Sequence, residues 1–372
     1  MAVKLQQVTN LINDLAPKHL AYDWDNIGLQ LGDYNQDVGR VLVTLDVTDE
    51  VIEEAISSDV DLIIAHHPVI FKGISNIRFN TPLGKMIQKA IKHDIAFYVA
   101  HTNYDIAQGG LNDLLAKKLG LVDTEILKVT QAEGLKKVVV FVPKESVSKV
   151  KEAMAKAGAG WIGNYSDCFF EQKGTGSFRP LAGTSPYTGT KGELSEVTEY
   201  RLETIVQSKI LNRVINKMIK AHPYEEVAYD IYPVDNRGEA FGIGRVGYLK
   251  ESTSLKEYIQ VVKQTLDIAS LKVVGEDNTE IKKVAICSGS GADFIKTASF
   301  KGADLLVTGD VKYHDAQLVL EEGLTLIDAG HYETEQIMRD AVVSYLIEEV
   351  NKNNLDVEIL KSQINTNPVR IV

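Results

Sequence analysis

The strongest constraint on this chain is a rhythm of short, continuously apolar runs separated by segments of helical period. In the first third, "VGRVLVTLDVT" (38–48), "DLIIAHH" and "IAFYVAHT" read as strands. The segments "DEVIEEAISSD", "TPLGKMIQKAIKHD" and "GGLNDLLAKKLGL" read as helices. Pro82 suits a helix start, and Gly120 suits a helix end. An apolar run without period-2 alternation is buried on both faces, and strands joined through helices run parallel. The expectation is an α/β fold with helices on both sides of a parallel sheet. The last third repeats the rhythm in "KKVAICSGSGADFIKTASFKG", "ADLLVTGDVKYHDAQLVLEEG" and "LTLIDAGHYETEQIMRDAVVSYLIEEV", the last read as a strand and one long helix. "DVEIL" follows as a final strand.

The middle differs. "LKKVVVFVPKESVSKVKEAMAKAGAG" gives a strand and a helix, "YSDCFFEQKGTGSFRPLAG" and "EVTEYRLETIVQ" give paired half-exposed strands, "SKILNRVINKMIKAHP" a helix, and "EEVAYDIYPVDN" a strand. The order β-α-β-β-α-β is ferredoxin-like. The chain is therefore read as a main α/β domain built from residues 1–127 and 236–372, interrupted by an inserted ferredoxin-like α+β domain at 128–235. The Gly-rich "RGEAFGIGRVGYL" (237–249) marks the return to the main sheet.

Ligands of open α/β sheets bind beyond the carboxyl ends of the strands. "DLIIA" ends in His66 and His67, and "IAFYVA" in "HTNYD", with His101 and Asp105. "ADLLVTGD" leads to Tyr313, His314 and Asp315, and "LTLIDAG" to "HYETE", with His331 and Glu335. Most of the eight histidines fall at these points. Imidazole and carboxylate are ligands for zinc, iron or manganese. Spaced four apart at a helix start, His331 and Glu335 point the same way. Neighbouring His66 and His67 diverge, which suits two ions a few Å apart better than one, with Asp105 or Glu335 as a bridging carboxylate.

Bland readings stand beside these. "HHP" alone is compatible with a plain turn, and His19 and His93 read as surface or satisfied core residues. His314 is equally consistent with a pocket residue, a partner to a ligand, or a helix-start residue. "CSGSGADF" could take a phosphate on free backbone N–H groups, but tight strand-to-helix turns use glycine anyway. Cys287 reads as a packing residue rather than a nucleophile. Lys72 and Arg78 are either phosphate-attracting or solvated loop charges.

Composition excludes several classes. A net charge of −11 opposes nonspecific binding to nucleic acid or anionic membrane. Two cysteines, Cys168 and Cys287, make neither a disulfide scaffold nor a CxxC site and fit a reducing compartment. The N-terminus lacks an apolar signal core, and no window of 18 apolar residues is present. The expectation is a cytoplasmic protein with no membrane and no nucleic-acid partner.

The motifs "YDWDNIGLQLG" (22–32), "LDVT", "IIAHHPVIF", "HTNYD", "GDVKYHDA" and "DAGHYETE" together resemble the Nif-three-like family, often catalogued as GTP cyclohydrolase 1 type 2 homologues. The resemblance covers nearly the whole chain. The inserted domain is similar to the CutA/PII-like module, notably at "AHPYEEVAYDIYPV" (221–234). The resemblance implies a dinuclear metal centre with His66, His67, Asp105, His331 and Glu335 as ligands of two divalent ions per chain. Zinc is the leading expectation, and iron or manganese would also be accepted. It implies pocket positions for His101 and His314, assigned here to proton transfer or leaving-group assistance. It also implies a toroidal homohexamer. The expected function is metal-dependent hydrolysis of a nucleotide or another small phosphorylated or cyclic substrate, including opening of the GTP imidazole ring with formate release. The alternative is a non-enzymatic metal-binding or regulatory toroid.

Overall fold

The computed structural model describes residues 2–370. By contact density they form two compact units, one made of the chain up to Thr130 and from Phe241 onward, the other Gln131–Ala240. The first unit begins with α1 (Leu5–Leu15), β1 (Gly28–Leu31), β2 (Arg40–Thr44), α2 (Asp49–Ser57), β3 (Leu62–Ala65), α3 (Pro82–Lys92), β4 (Ala96–Val99), α4 (Thr102–Ile106) and α5 (Leu111–Lys118). Helix starts follow their local chemistry. The Thr48 hydroxyl accepts the Val51 N–H at the head of α2, with Asp49 and Glu50 in its first turn. Thr81 accepts the Gly84 N–H at the head of α3, where Pro82 lacks the donor that would go unused.

The chain enters the second unit along β5 (Val122–Pro143) and continues through α6 (Val147–Lys156), β6 (Phe169–Phe178), β7 (Ser195–Gln207) and α7 (Leu211–Ala221). It leaves along β8 (Tyr229–Ser254). Within this unit the strand order is β6-β7-β5-β8, with β7 antiparallel to both β5 and β6. This is the ferredoxin-like β-α-β-β-α-β arrangement. Its core packs Val138, Val140 and Val142 of β5 against Val150 and Met154 of α6 and Val214 and Met218 of α7. The boundaries read at 127/128 and 235/236 lie inside β5 and β8, because each is a single strand that continues from one unit into the other.

The first unit resumes with α8 (Leu255–Leu266), β9 (Lys272–Val274), β10 (Glu280–Ser290), α9 (Ile295–Phe300), β11 (Leu305–Gly309), α10 (Tyr313–Glu321), β12 (Thr325–Asp328), α11 (His331–Glu335), α12 (Met338–Lys352) and β13 (Glu358–Lys361). Its strands form two sheets rather than the single main sheet of the sequence reading. One has the order β1-β4-β3-β2-β13, parallel except for β1. In the other, β5-β8-β10-β11-β12-β9, the parallel core is β10-β11-β12. Each parallel strand sends alternate residues to two apolar layers. Val41, Val43, Leu62, Ile64, Val284, Ile286, Leu305 and Val307 meet in a central layer with α1, α5, α8 and α12. Leu42, Ile63 and Phe97 pack outward on α2 and α3, and Ala285, Leu306 and Leu326 on α9 and α10. Burial of both faces is why these strands show no alternation. The long helix read after β12 is broken into α11 and α12. Among the described residues, no helix is long and apolar enough to cross a membrane.

One buried cation ties the two sheets of this unit together. The Arg245 guanidinium, on β8, donates to both carboxylate oxygens of Asp113 on α5 and to the carbonyls of Ala107, Gly242 and Gly244. It is only 4% exposed. Removing the carboxylate leaves a buried charge short of its counter-ion, so Asp113→Ala is expected to destabilise this unit by about 3–5 kcal/mol. Urea unfolding read from the unit's helical signal checks this, and a loss below 1 kcal/mol would rule it out.

Candidate metal centre

The carboxyl ends of β2, β3 and β4 and of β10, β11 and β12 converge on a cluster of imidazoles and carboxylates. His66 and His67 follow β3 directly. Their backbone N–H groups both donate to the Leu45 carbonyl at the end of β2, at 3.1 and 3.0 Å. That shared anchor pins the adjacent residues while their rings diverge, with centroids 5.1 Å apart at 55°. His101 caps the start of α4 after β4, and Asp105 lies within that helix. His331 and Glu335 lie on α11, entered through Gly330, whose φ of +92° and lack of a Cβ permit the turn.

Each imidazole has its Nδ1 occupied by an oxygen. His66 Nδ1 lies 2.9 Å from the Ala100 carbonyl, His67 Nδ1 2.7 Å from Asp46, His101 Nδ1 2.9 Å from Asp25, and His331 Nδ1 2.7 Å from Asp310. A carbonyl or ionised carboxylate only accepts, so Nδ1 carries the proton and Nε2 is left to face the centre. His67 Nε2 and His331 Nε2 are 3.3 Å apart, and both approach Glu335 Oε2, at 3.0 and 3.1 Å. His66 Nε2 lies 3.7 Å from both Asp105 Oδ1 and Glu335 Oε1. Glu335 thus presents one oxygen to His66 and the other to His67 and His331. Asp105 also accepts from the Ser288 hydroxyl at 3.3 Å. Gly289 lines the same cluster, and a Cβ there would stand 2.2 Å from Glu335 Oε1.

Imidazoles and carboxylates stabilise each other's charged forms across the cluster. Burial works against a charged His67, but hydrogen bonds to Asp46 and Glu335 outweigh it and hold the ring at about 10. Burial likewise opposes a charged His331, and Glu335 with Asp310 raises it to about 9. His66 is raised by Asp105 and Glu335 against its own complete burial. Burial opposes ionisation of Glu335, yet the imidazoles hold it well below the ordinary range. Asp105 is raised by burial and by the charge of Glu335. His66 Nε2 is buried with no hydrogen-bond partner, which is costly unless something else occupies the space before it.

The structure therefore brings together His66, His67, His101, Asp105, His331 and Glu335. Two overlapping groups have ligand atoms within 4.8 Å of one another: His66, His67 and His101, and His67, His331 and Glu335. His314 is not among them. It is exposed at the start of α10, with its Nδ1 2.9 Å from Gln317 Oε1. The end of β10 does not offer free donors at Ser288 or Gly289. Their N–H groups donate to Asn112 and Thr334, and Cys287 is fully buried. Lys72 and Arg78 lie on an exposed loop. Sequence reasoning missed Asp25, Asp46 and Asp310, which orient three of the imidazoles. The available signal was their position in "YDWD", "LDVT" and "VTGD". Partners of this kind fix ring orientation and basicity, so Asp46→Asn is expected to weaken metal affinity by about 10–100-fold. Competition with a chromophoric chelator measures this, and an unchanged affinity would contradict the role.

Comparison with known proteins gives a consistent answer. The profile of the family described as Duf34/NIF3 (NGG1p interacting factor 3) matches residues 3–368. A Bacillus subtilis protein named GTP cyclohydrolase 1 type 2 homolog is 48% identical over 367 residues, covering 99% of this chain and 98% of its own. A Halalkalibacterium halodurans protein of the same name is 47% identical with the same coverage. The crystal structure of a Bacillus cereus protein related to NIF3 superposes with a TM-score of 0.93 at 46% identity, covering 100% of both chains.

Proposed function

That this chain belongs to the Duf34/NIF3 family is the premise on which we propose a divalent-metal-dependent hydrolase acting on a nucleotide or another small phosphorylated or cyclic substrate. The observation that carries the proposal is the convergence of four Nδ1-anchored imidazoles and two buried carboxylates, with His66 Nε2 left unpartnered. This donor set fits two ions. His66, His67, Asp105, His331 and Glu335 would hold them, Glu335 between the two, and His101 is a further candidate ligand. Zinc is the first choice, and the set also suits iron or manganese. Divalent ions bound there supply Lewis acidity and activation of water near neutral pH.

The chain's own residues do the rest. Asp25, Asp46 and Asp310 keep the rings in the tautomer that leaves Nε2 available. His101, backed by Asp25 and less buried than His66, is the group best placed to take up or deliver a proton at Nε2. No such role is proposed for His314. The relatives' name directs the first substrate test to GTP, with ring opening and formate release. A homohexamer belongs to the same reading and is tested by sedimentation velocity.

The decisive experiment counts metal per chain in wild type and His67→Ala, then assays GTP for formate. Two ions in the wild type, fewer in the variant and formate release support the proposal. Two ions without turnover of GTP or of a wider nucleotide and phosphoester panel would replace it with a metal-binding or regulatory role. No metal even after reconstitution would end it.

A further inference from the structure

Beside the cluster stands an aromatic surface that the proposed chemistry does not use. Trp24 is 59% exposed, although it lies in the turn 22–25 that builds the site. One face of its indole is stacked on Tyr22, with ring centroids 5.6 Å apart at 16°. Its edge meets the His101 ring at 6.2 Å and 73°, and Phe71, 49% exposed, sits at 5.9 Å and 49°. The turn is closed by the Asp25 N–H donating to the Tyr22 carbonyl at 3.0 Å. The Tyr22 N–H donates to the Thr102 hydroxyl at 3.2 Å. The same Asp25 carboxylate holds His101 Nδ1 and the Thr102 N–H. The indole is therefore fixed by the residue that orients a site imidazole.

We propose that Trp24 is a stacking platform for a planar heteroaromatic ring of the nucleobase class, docked beside the imidazole cluster. This rests on the hydrolase reading and narrows its substrate from any small phosphorylated or cyclic molecule to one carrying a π-ring. Trp24 and Phe71 form a contiguous exposed aromatic patch rather than a single scattered side chain, and such patches mark binding surfaces. Here one face is backed by Tyr22 and the ring adjoins the imidazole cluster through His101. Stacking of a base on an aromatic side chain tolerates any base, because every base has a π-face. The platform thus selects ring over no ring, not one base over another.

The chain has two tryptophans, so Trp161→Phe, a change at an exposed position in the other unit, leaves Trp24 as the sole indole reporter. The full-length variant is titrated with guanosine monophosphate and with ribose 5-phosphate, each with and without zinc, and metal content is counted separately. The expected result is saturable quenching by the nucleotide and none by the sugar phosphate. In the same assay read by calorimetry, Trp24→Ala weakens nucleotide binding by about 10-fold or more, and Trp24→Phe retains most of it. Both variants keep the wild-type metal count. Absence of saturable quenching in either metal state overturns the platform while leaving the metal count to judge the hydrolase. Equal binding of both ligands, or unchanged binding in Trp24→Ala, also overturns it. Dissociation of an assembly by Trp24→Ala, seen in sedimentation with nucleotide binding unaffected, would assign the indole to contact with a second copy instead.

Discussion

Glu335→Gln is expected to reduce the metal content from two ions to at most one per chain and to weaken what remains by more than about 100-fold, beyond the usual loss for an outer partner. The side chain keeps its shape but loses its charge and one acceptor. In the native site its two oxygens face three imidazoles, His66 on one side and His67 and His331 on the other. No other carboxylate among the described residues approaches all three. Asp105 reaches only His66 within 4 Å. The comparison with Asp46→Asn is internal to the experiment, since Asp46 touches a single ring from behind. If Glu335→Gln retained both ions with affinity like that of Asp46→Asn, Glu335 would not stand between two ions.

Metal uptake should release at least two protons per chain near neutral pH, from His67 and His331, and its apparent affinity should rise by roughly 100-fold or more per pH unit until the imidazoles deprotonate unaided. Without metal, His67 holds its proton to about 10 and His331 to about 9. Both Nε2 protons must leave before the nitrogens can act as ligands. The same shifts set the stability of the metal-free protein. Their folded values lie above the unfolded value of 6.5, so the folded chain binds more protons between 6.5 and 10. The stabilisation is fully present below 6.5 and is lost as pH rises through 9 and 10. The melting temperature of the metal-free protein should therefore fall across that window, whereas the metal-loaded protein should not follow it. Isothermal titration in buffers of different ionisation enthalpy counts the protons. A count near zero would mean that the rings are already neutral and that the paired carboxylates do not charge them.

The strand ends were legible because they combine two independent signals, a fully apolar run and a histidine or carboxylate immediately after it. That pattern singled out His66, His67, His101, Asp105, His331 and Glu335. Asp46 and Asp310 also follow apolar runs but come without a neighbouring histidine, and Asp25 follows no strand at all. A lone aspartate after a strand is ordinary turn chemistry, and only the fold shows which imidazole it faces. His314 carried the same sequence signal as His331 but starts a helix whose first turn points elsewhere. The break between α11 and α12 has no glycine or proline to announce it. The edge strands β1 and β9, four and three residues long, are too short for a pattern. Helix α8 was not read from the sequence, although the reciprocal pair Ser254 and Glu257 caps its start. The second sheet of the first unit was hidden for a different reason. Periodicity shows that a strand is buried on both faces but not which other strands share its sheet.

His67 and His331 stand 264 positions apart in the chain and meet within one hydrogen-bond length. The cluster therefore has an order in time. A nascent chain carries the first three histidines early, but the second half of the donor set arrives only after both the inserted unit and most of the final sheet have been made. On the proposed reading, capture by the full donor set is a late event in synthesis, and a polypeptide cut short before His331 keeps His66, His67, His101 and Asp105 but lacks the carboxylate that faces three imidazoles. On the same reading, ions shared by the two halves would pin a loop of 264 positions, so their presence would mark both halves of the donor set as made and brought together.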